Sequence, residues 1–354
     1  MKEKNKTIWK MLRNIVFFIG LIIVTYAVIF REQDVNELFN VVHSANYTYV
    51  LLGIFFMFMY YFMESYNVKK VLKLFGEKIS ILKALKFTFI GFFFSAITPA
   101  ASGGQPIEIY YMTKEKISGA KATMALLIQL GSFQICTIVL GILSFLINPG
   151  ILSGGIIWLF LIGLVANTCI LTVMLIAMFS KRLSKKLVNF AIKVLKFFRV
   201  KNIEAKKERI EAGLKRYNDS SKYIKENKIE FARAILRVLV QVIFYYSIPY
   251  CIYKSFGLNE FNWFQLFTTQ SILFITVNSM PLPGAIGVSE SIFLGIFESI
   301  FGASLLNGAM LLNRGITFYL YVVVCAIVVV FNAIKTKDIK GELNGEKVWY
   351  IQNF

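Results

Sequence analysis

The stretch ITPAASGGQPIEIYYM, residues Ile97–Met112, decides the fold because it interrupts an apolar run that begins like a membrane span. The run before it, Phe87–Ile97, has only eleven residues, whereas a helix needs about 20 to cross a bilayer. The residues that break the helix are Pro99, Gly103, Gly104 and Pro106. Non-helical backbone is tolerated at membrane depth only where it is buried in protein or lines a wet cavity. The stretch therefore points to a functional site.

The charges after the break show which way the chain goes. Lys114, Lys116 and Lys121 follow it closely, and they would lie outside the cell if the chain had crossed. Basic residues favour the cytoplasmic side, so a chain that turns back explains both the short run and the charge. We therefore predict that Phe87–Met112 is a re-entrant helical hairpin entered from the cytoplasm.

Composition sets the broad class. Apolar residues make up 57% of the 354 residues and aromatic residues 16%, and the mean hydropathy is +0.63, whereas soluble domains are about 45–50% apolar. The net charge is +19, but the basic residues lie in the loops, as in membrane proteins that follow the positive-inside rule. The sequence thus predicts an all-α polytopic membrane protein that binds no nucleic acid.

Six apolar segments are long enough to be full transmembrane helices. The loop charges place both termini on the cytoplasmic side of the cell membrane. The predicted spans are Ile15–Phe30, Tyr47–Met63, Ala122–Ile147, Ile156–Phe179, Ala232–Tyr253 and Leu305–Phe331. With two re-entrant hairpins, the prediction is eight membrane segments in a single flippase-like membrane domain over residues 1–354.

A second hairpin is predicted around MPLPGAIGVSE, residues Met280–Glu290. No Lys or Arg occurs between Lys254 and Arg314, so a cytoplasmic loop here would lack basic residues, and a hairpin entered from outside explains the gap. Its breaking residues are Pro281, Pro283, Gly284 and Gly287. Glu108 follows Pro99 by nine residues, as Glu290 follows Pro281. Paired Gly/Pro breaks in two halves of a chain are typical of transporter sites.

The segment Lys181–Glu230 is the largest polar part of the chain, with sixteen Lys/Arg and six Asp/Glu. It is predicted to be cytoplasmic, and apolar residues at helical spacing from Leu183 to Phe197 predict an amphipathic helix lying on the membrane surface. Two interpretations stay open: recruitment of acidic lipid, or a solvated connector.

The two broken stretches, TPAASGGQPIEIYYM and PLPGAIGVSE, resemble the signature stretches of the lysylphosphatidylglycerol synthase transmembrane, or flippase-like, family. The resemblance covers nearly the whole chain. It implies an eight-segment membrane domain that moves aminoacylated phosphatidylglycerol or a related polar lipid between leaflets. Larger members of that family add a domain that transfers lysine from lysyl-tRNA, which is not expected in this chain. The implied partners are the bilayer, an anionic or aminoacylated phospholipid, and a lipid-modifying enzyme.

A polar headgroup inside a membrane needs fixed polar partners, because unpaired charge there is costly. Hairpin tips offer backbone N–H groups for a phosphate, and Glu108 and Glu290 are placed to meet a headgroup amine. Arg314 suits a phosphate, or an internal ion pair with Glu290 or Glu298. The predicted substrate-binding residues are Glu108, Glu290, Arg314, Gly103, Gly104, Gln105 and Asn278.

An enzyme is the alternative reading, in the form of a phosphatidylglycerol lysyltransferase-type enzyme or its membrane subunit. Catalysis would need a nucleophile with a base, or a metal cluster. The single histidine, His43, lies in a polar loop, and no two of the four cysteines have metal-ligand spacing. The sequence therefore favours a transporter without catalytic residues, metal or cofactor.

Overall fold

The structure, a computed structural model, describes residues 35–98, 101–152, 154–180, 217–219, 221–278, 280 and 282–335. Within these residues the regular structure is helical throughout. The helices are α1 (Val35–Ser44), α2 (Tyr47–Leu74), α3 (Ile81–Ala96), α4 (Gly104–Lys114), α5 (Gly119–Ile147), α6 (Ile156–Phe179), α7 (Lys228–Tyr246), α8 (Ile248–Ser255), α9 (Trp263–Asn278), α10 (Val288–Arg314) and α11 (Leu320–Lys335).

Five segments in the described part of the chain are long and apolar enough to cross a membrane, which supports the predicted multi-pass class. They contain or overlap five of the six predicted spans. The segments are Tyr47–Leu74, Gly119–Ile147, Ile156–Ile176, Lys228–Ser255 and Pro283–Asn332. The sixth predicted span, Ile15–Phe30, lies outside the described residues, so the count of six spans and two hairpins stays a prediction.

α3 and α4 form an antiparallel pair of short helices, of 16 and 11 residues. The chain turns between Ile97 and Gly103, where Thr98 accepts a hydrogen bond from the Gly103 N–H at 2.9 Å. Successive turns of the two helices then meet in antiparallel order: Gly104 lies against Ser95 and Glu108 against Gly91, and Met112 packs in one cluster with Phe87. The chain therefore folds back where the sequence predicted a hairpin.

α9 and the first half of α10 form the second pair. The ring of Tyr253 lies 6.2 Å from Phe261, just before α9, and 5.9 Å from Phe301 in α10. The start of α9 and residue Phe301 therefore lie at the same end of the pair. A short helical turn, Pro283–Ala285, forms the tip at the other end.

α10 reverses direction at Gly302, which has φ +67° and ψ 161°. Glu290 and Arg314 are 24 residues apart, and a continuous helix would separate them by about 36 Å. Instead Arg314 Nε lies 2.9 Å from Glu290 Oε1. Residues 303–314 therefore run back alongside residues 288–301, and the reversal at Gly302 precedes the predicted span Leu305–Phe331.

The open ends of the two hairpins lie at opposite ends of α2. At the start of α2, Asn46 N–H donates to the Ser255 carbonyl at 2.8 Å, next to Phe256, whose ring contacts Phe301. Near the end of α2, Leu72 packs in one cluster with Phe87 and the open end of the first hairpin. The 28 residues of α2 span about 42 Å between these two ends.

The hairpin tips meet between these ends. Ile286 of the second tip packs in one cluster with Ala96 and Ile97 of the first tip and with Phe318. Two helical pairs that open at opposite ends of α2 and touch at their tips have inverse orientations. This is the arrangement expected if the hairpins enter a membrane from opposite sides.

α2 is longer than the predicted span Tyr47–Met63, because the helix continues to Leu74. In this extension the lysines alternate with Val68, Val71 and Leu72, which are buried against the first hairpin. Other predictions fall on residues outside the described ranges. These are the breaks at Pro99 and Pro281, the amphipathic helix within Lys181–Glu230, and the positions of the two termini.

Candidate functional site

A cavity of about 350 Å³ lies where the two tips meet. Both hairpins contribute to its wall, as do α2, α5, α7, α9 and the segment after α10. Its polar and charged lining residues are Glu64, Thr88, Ser95, Gln105, Glu108, Gln129, Asn278, Ser289, Arg314 and Thr317. Its aromatic lining residues are Tyr60, Tyr61, Phe92, Phe133, Tyr245, Phe274 and Phe318. Apolar cavities with a few convergent polar groups are typical of ligand sites.

The first tip depends on two glycines. A Cβ on Gly104 would lie 1.9 Å from Ser95 Oγ and 2.7 Å from the Gly91 carbonyl oxygen, so only glycine lets α4 start this close to α3. A Cβ on Gly91 would lie 2.9 Å from Glu108 Oε2. The missing side chain at Gly91 therefore leaves the space that the Glu108 carboxylate fills.

Glu108 is buried, with 5% of its surface exposed. Among the described residues its Oε1 atom has no hydrogen-bond partner, and no Lys or Arg pairs with it. Buried polar groups normally have partners, so a carboxylate in this position on a cavity wall can receive a donor from a ligand.

The second tip depends on Glu290, whose two oxygens are both engaged. Oε2 accepts the N–H of Gly287 at 2.8 Å and so caps the start of α10. Oε1 accepts from Arg314 Nε at 2.9 Å and from the Tyr319 hydroxyl at 3.2 Å. Glu290 has no exposed surface. Of the ion pairs that the sequence left open for Arg314, the structure forms the one with Glu290.

Arg314 is held from three directions. Besides the bond to Glu290, its Nη2 donates to the Gly284 carbonyl at 3.0 Å, and its guanidinium lies 4.5 Å from the centre of the Phe318 ring. Gly284 allows this contact, because it has φ +59° and a Cβ there would lie 2.2 Å from Phe318. Within the described part of the chain, Nη1 has no hydrogen-bond partner, and Arg314 lines the cavity.

The predicted site residues fall into two groups. The cavity is lined by Gly104, Gln105, Glu108, Asn278, Gly284 and Arg314. Asn278 also donates to Asn167 at 2.8 Å, which ties α9 to α6. The predicted residues that shape the tips without lining the cavity are Gly103, Pro106, Pro283, Gly287 and Glu290.

Glu64 is a cavity residue that sequence reasoning missed. It follows Met63, where the predicted span ended, and the continuing helix α2 carries it onto the cavity wall. Its carboxylate accepts from Gln241 Nε2 at 3.1 Å. The available signal was a carboxylate that directly follows an apolar run and lies three residues before the polar Asn67.

A chain of hydrogen-bonded side chains links Glu64 to Arg237 and includes Gln129, which also lines the cavity. Gln129 donates to Gln241 at 2.9 Å, Asn67 donates to Gln129 at 2.6 Å, and Arg237 Nε donates to Asn67 at 2.7 Å. The chain joins α2, α5 and α7 through buried polar groups. These hydrogen bonds hold α2 in the orientation that places Glu64 at the cavity.

The described residues contain no cluster of three or more His, Cys, Asp or Glu side chains that could hold a metal ion. The charged groups that line the cavity are the carboxylates of Glu64 and Glu108 and the guanidinium of Arg314. Such groups bind ammonium and phosphate groups by charge-assisted hydrogen bonds.

Comparisons with known proteins identify the class and the family of this chain. A membrane protein of Archaeoglobus fulgidus, described as a UPF0104 membrane protein, is 22% identical to this chain over 324 residues, which is 90% of this chain and 96% of that protein. The sequence profile of the lysylphosphatidylglycerol synthase TM region family matches residues 14–325. This match covers most of the chain, including both hairpins, the cavity and Arg314. The chain is a membrane protein that belongs to the lysylphosphatidylglycerol synthase TM region family.

Proposed function

We propose that this protein is a lipid flippase, which moves a polar lipid between the leaflets of the cytoplasmic membrane by passing its headgroup through the cavity. The observation that carries the proposal is that the cavity lies where two oppositely oriented hairpins meet and is lined by a guanidinium and by carboxylates. A headgroup cannot cross hydrocarbon without fixed polar partners, and a cavity between inverted hairpins supplies them.

The phosphate of the lipid is assigned to Arg314 and to the start of α4. The first N–H groups of a helix have no acceptor within the helix and carry partial positive charge. In α4 these belong to Gly104 and Gln105, which line the cavity together with Arg314. Guanidinium and helix N–H groups are both good phosphate donors.

The amine of the lipid is assigned to Glu108, whose Oε1 atom lacks a partner among the described residues. Glu290 is assigned a positioning role, because both of its oxygens are already engaged and it holds Arg314 from behind. The bond from Arg314 Nη2 to Gly284 fixes the same guanidinium against the second tip. In this proposal Arg314 has both roles that the sequence left open: it forms an internal ion pair, and it binds the phosphate.

The family description names a synthase of lysylphosphatidylglycerol. This supports an aminoacylated phosphatidylglycerol as the lipid, since its headgroup combines a phosphate with an ammonium group. The partners proposed on this basis are that phospholipid, the bilayer and a lipid-modifying enzyme.

Reconstituted vesicles test the proposal. Lysylphosphatidylglycerol is incorporated with the protein, and an impermeant amine-reactive reagent reports how fast the lipid reaches the outer leaflet. We expect Glu108→Gln to slow the exchange about ten- to hundredfold, because it removes a charge-assisted hydrogen bond while keeping the shape. Arg314→Lys should also slow it, because an ammonium cannot reproduce the planar guanidinium fork.

Glu298→Gln is the matched control, because Glu298 is exposed on the same chain and does not line the cavity. It should exchange lipid at the wild-type rate. Full transport by a stable double variant, Glu108→Gln with Arg314→Ala, would place the site elsewhere.

A further inference from the structure

The cavity wall carries two carboxylates without a cation to balance them. Glu64 on α2 and Glu108 on α4 both line the cavity. Within the described ranges neither forms an ion pair, since Arg314 pairs with Glu290 and the remaining ion pairs involve other acids. Glu64 is outside the set assigned above to the headgroup, so its role is open.

The helices that carry the two side chains both pack against one turn of α3. Ser65, next to Glu64, donates to the Thr88 hydroxyl at 2.9 Å, and Glu108 fills the space beside Gly91. Thr88 and Gly91 are three residues apart and so lie on the same face of α3. Both carboxylates line the same cavity of about 350 Å³.

Few donors reach these four oxygens. Glu64 accepts from Gln241, and Glu108 Oε1 accepts from none of the described residues. Two ionised carboxylates that share a low-dielectric site repel each other, and a single proton between them removes the repulsion and supplies a donor. Coupled carboxylates of this kind titrate as a pair rather than as separate groups.

The other charged and titratable groups at the cavity are neutral or already paired, which leaves these two carboxylates as the groups without a balancing charge. The tyrosines of α2 and α7 that line the cavity are neutral there. Arg314 keeps its charge and is balanced by Glu290, and Arg237 is directed to Asn67. Among the lining residues, α3, α5 and α9 contribute no charged side chain, and α4 contributes only Glu108.

We propose that Glu64 and Glu108 form a proton site, which holds one proton between them while no cation occupies the cavity and releases it when an ammonium group enters. The O–H bond of the protonated carboxyl breaks and the proton passes to water. The carboxylate then accepts a hydrogen bond from the ammonium N–H, so one positive charge leaves as one enters. The ligand in this step rests on the proposed flippase function, and the exchange couples headgroup movement to a proton gradient.

The first test needs no lipid ligand. Infrared spectra of the purified protein in nanodiscs are recorded as the pH is varied, and the carbonyl band of protonated carboxylic acids is followed. We expect wild type and Glu298→Gln to show the same titration of this band. In Glu64→Gln and in Glu108→Gln that titration should be lost or displaced by roughly one pH unit or more. Identical titrations in wild type and both cavity variants would overturn the proposal.

The second test measures protons released when short-chain lysylphosphatidylglycerol binds in a weakly buffered solution. Wild type and Glu298→Gln should release one proton for each lipid bound, and the two cavity variants less than half as much. Binding by wild type without proton release would overturn the exchange. If the probe does not bind at all, the proposed lipid is wrong, whereas the infrared titration still decides the proton site. Size-exclusion profiles confirm that each variant is folded, and Glu108→Asp serves as a second variant that keeps the carboxyl group.

Discussion

Replacing Arg314 tests the ion pair that holds the end of α10 against Glu290 in the second hairpin. The Arg314 and Glu290 side chains are 8% and 0% exposed. Removing one partner of a buried ion pair costs about 3–5 kcal/mol, because the other charge is left unpaired. In Arg314→Met, Glu290 keeps its bonds to the Gly287 N–H and the Tyr319 hydroxyl, so we expect a loss of about 3 kcal/mol, at the lower end of this range.

Glu290→Gln should cost a similar amount, because it leaves the Arg314 guanidinium without its counter-charge. When both changes are combined, no unpaired charge remains, and replacing a whole buried pair by neutral groups is often nearly neutral. We therefore expect the double variant to lose about 3 kcal/mol less than the sum of the single variants. At about 2 °C or more per kcal/mol, the difference is about 6 °C in melting temperature.

Thermal unfolding of the four proteins in one detergent measures this coupling. A second cycle combines Arg314→Met with Glu298→Gln, whose carboxylate is exposed and does not contact Arg314. Those two effects should add to within about 0.5 kcal/mol. If the Glu290 and Arg314 changes were equally additive, the ion pair would not form in the folded protein and the reversal at Gly302 would need another explanation.

Three further outcomes follow from the packing and charges around the first hairpin. Gly104→Ala should lower stability by about 1–3 kcal/mol in the same melts, because its Cβ would lie 1.9 Å from Ser95 Oγ, whereas Gly150→Ala, with nothing within 4 Å, should change it little. Glu115 forms ion pairs with two lysines, which hold its pKa below the usual range. These pairs stabilise the fold by at most about 1 kcal/mol, and this stability is present above the ordinary carboxyl pKa and lost as the pH falls through the lowered value. Glu115→Gln should remove this part of the pH dependence of stability. A cysteine placed at Lys116, on a background without the native cysteines, should resist an impermeant reagent added outside cells, and labelling there would contradict a cytoplasmic position.

The two hairpins could be predicted because their signals are local. Proline and glycine restrict or free the backbone wherever they occur, and the chain does turn beside Gly103 and at Gly284 and Gly287. Span length and loop charge then decide whether a broken run crosses or returns. These rules need no knowledge of distant contacts, so they located both tips.

The charged partners could not be predicted in this way. Glu64 lies on the cavity because α2 continues past the length that a span requires, and the Gln241 that bonds it is 177 residues away. The choice between Glu290 and Glu298 as the partner of Arg314 depends on how the chain reverses at Gly302. The position of Glu64 and the partner of Arg314 both depend on packing between helices that are far apart in the sequence. The spacing of residues along the chain does not predict that packing.

The distribution of charge around the cavity bears on which lipid we propose. Arg314 is neutralised by Glu290, whereas Glu64 and Glu108 have no cation within the described residues. A purely anionic headgroup would contact Arg314 but would also meet the negative charge that Glu64 and Glu108 share, and like charges in a low-dielectric site repel strongly. In a headgroup that carries an ammonium beside its phosphate, the ammonium faces the carboxylates and the phosphate faces Arg314, so each group meets the opposite charge. In our proposal the cavity therefore favours aminoacylated phosphatidylglycerol over phosphatidylglycerol itself, and the proton shared by the two carboxylates keeps the empty cavity from holding two bare negative charges.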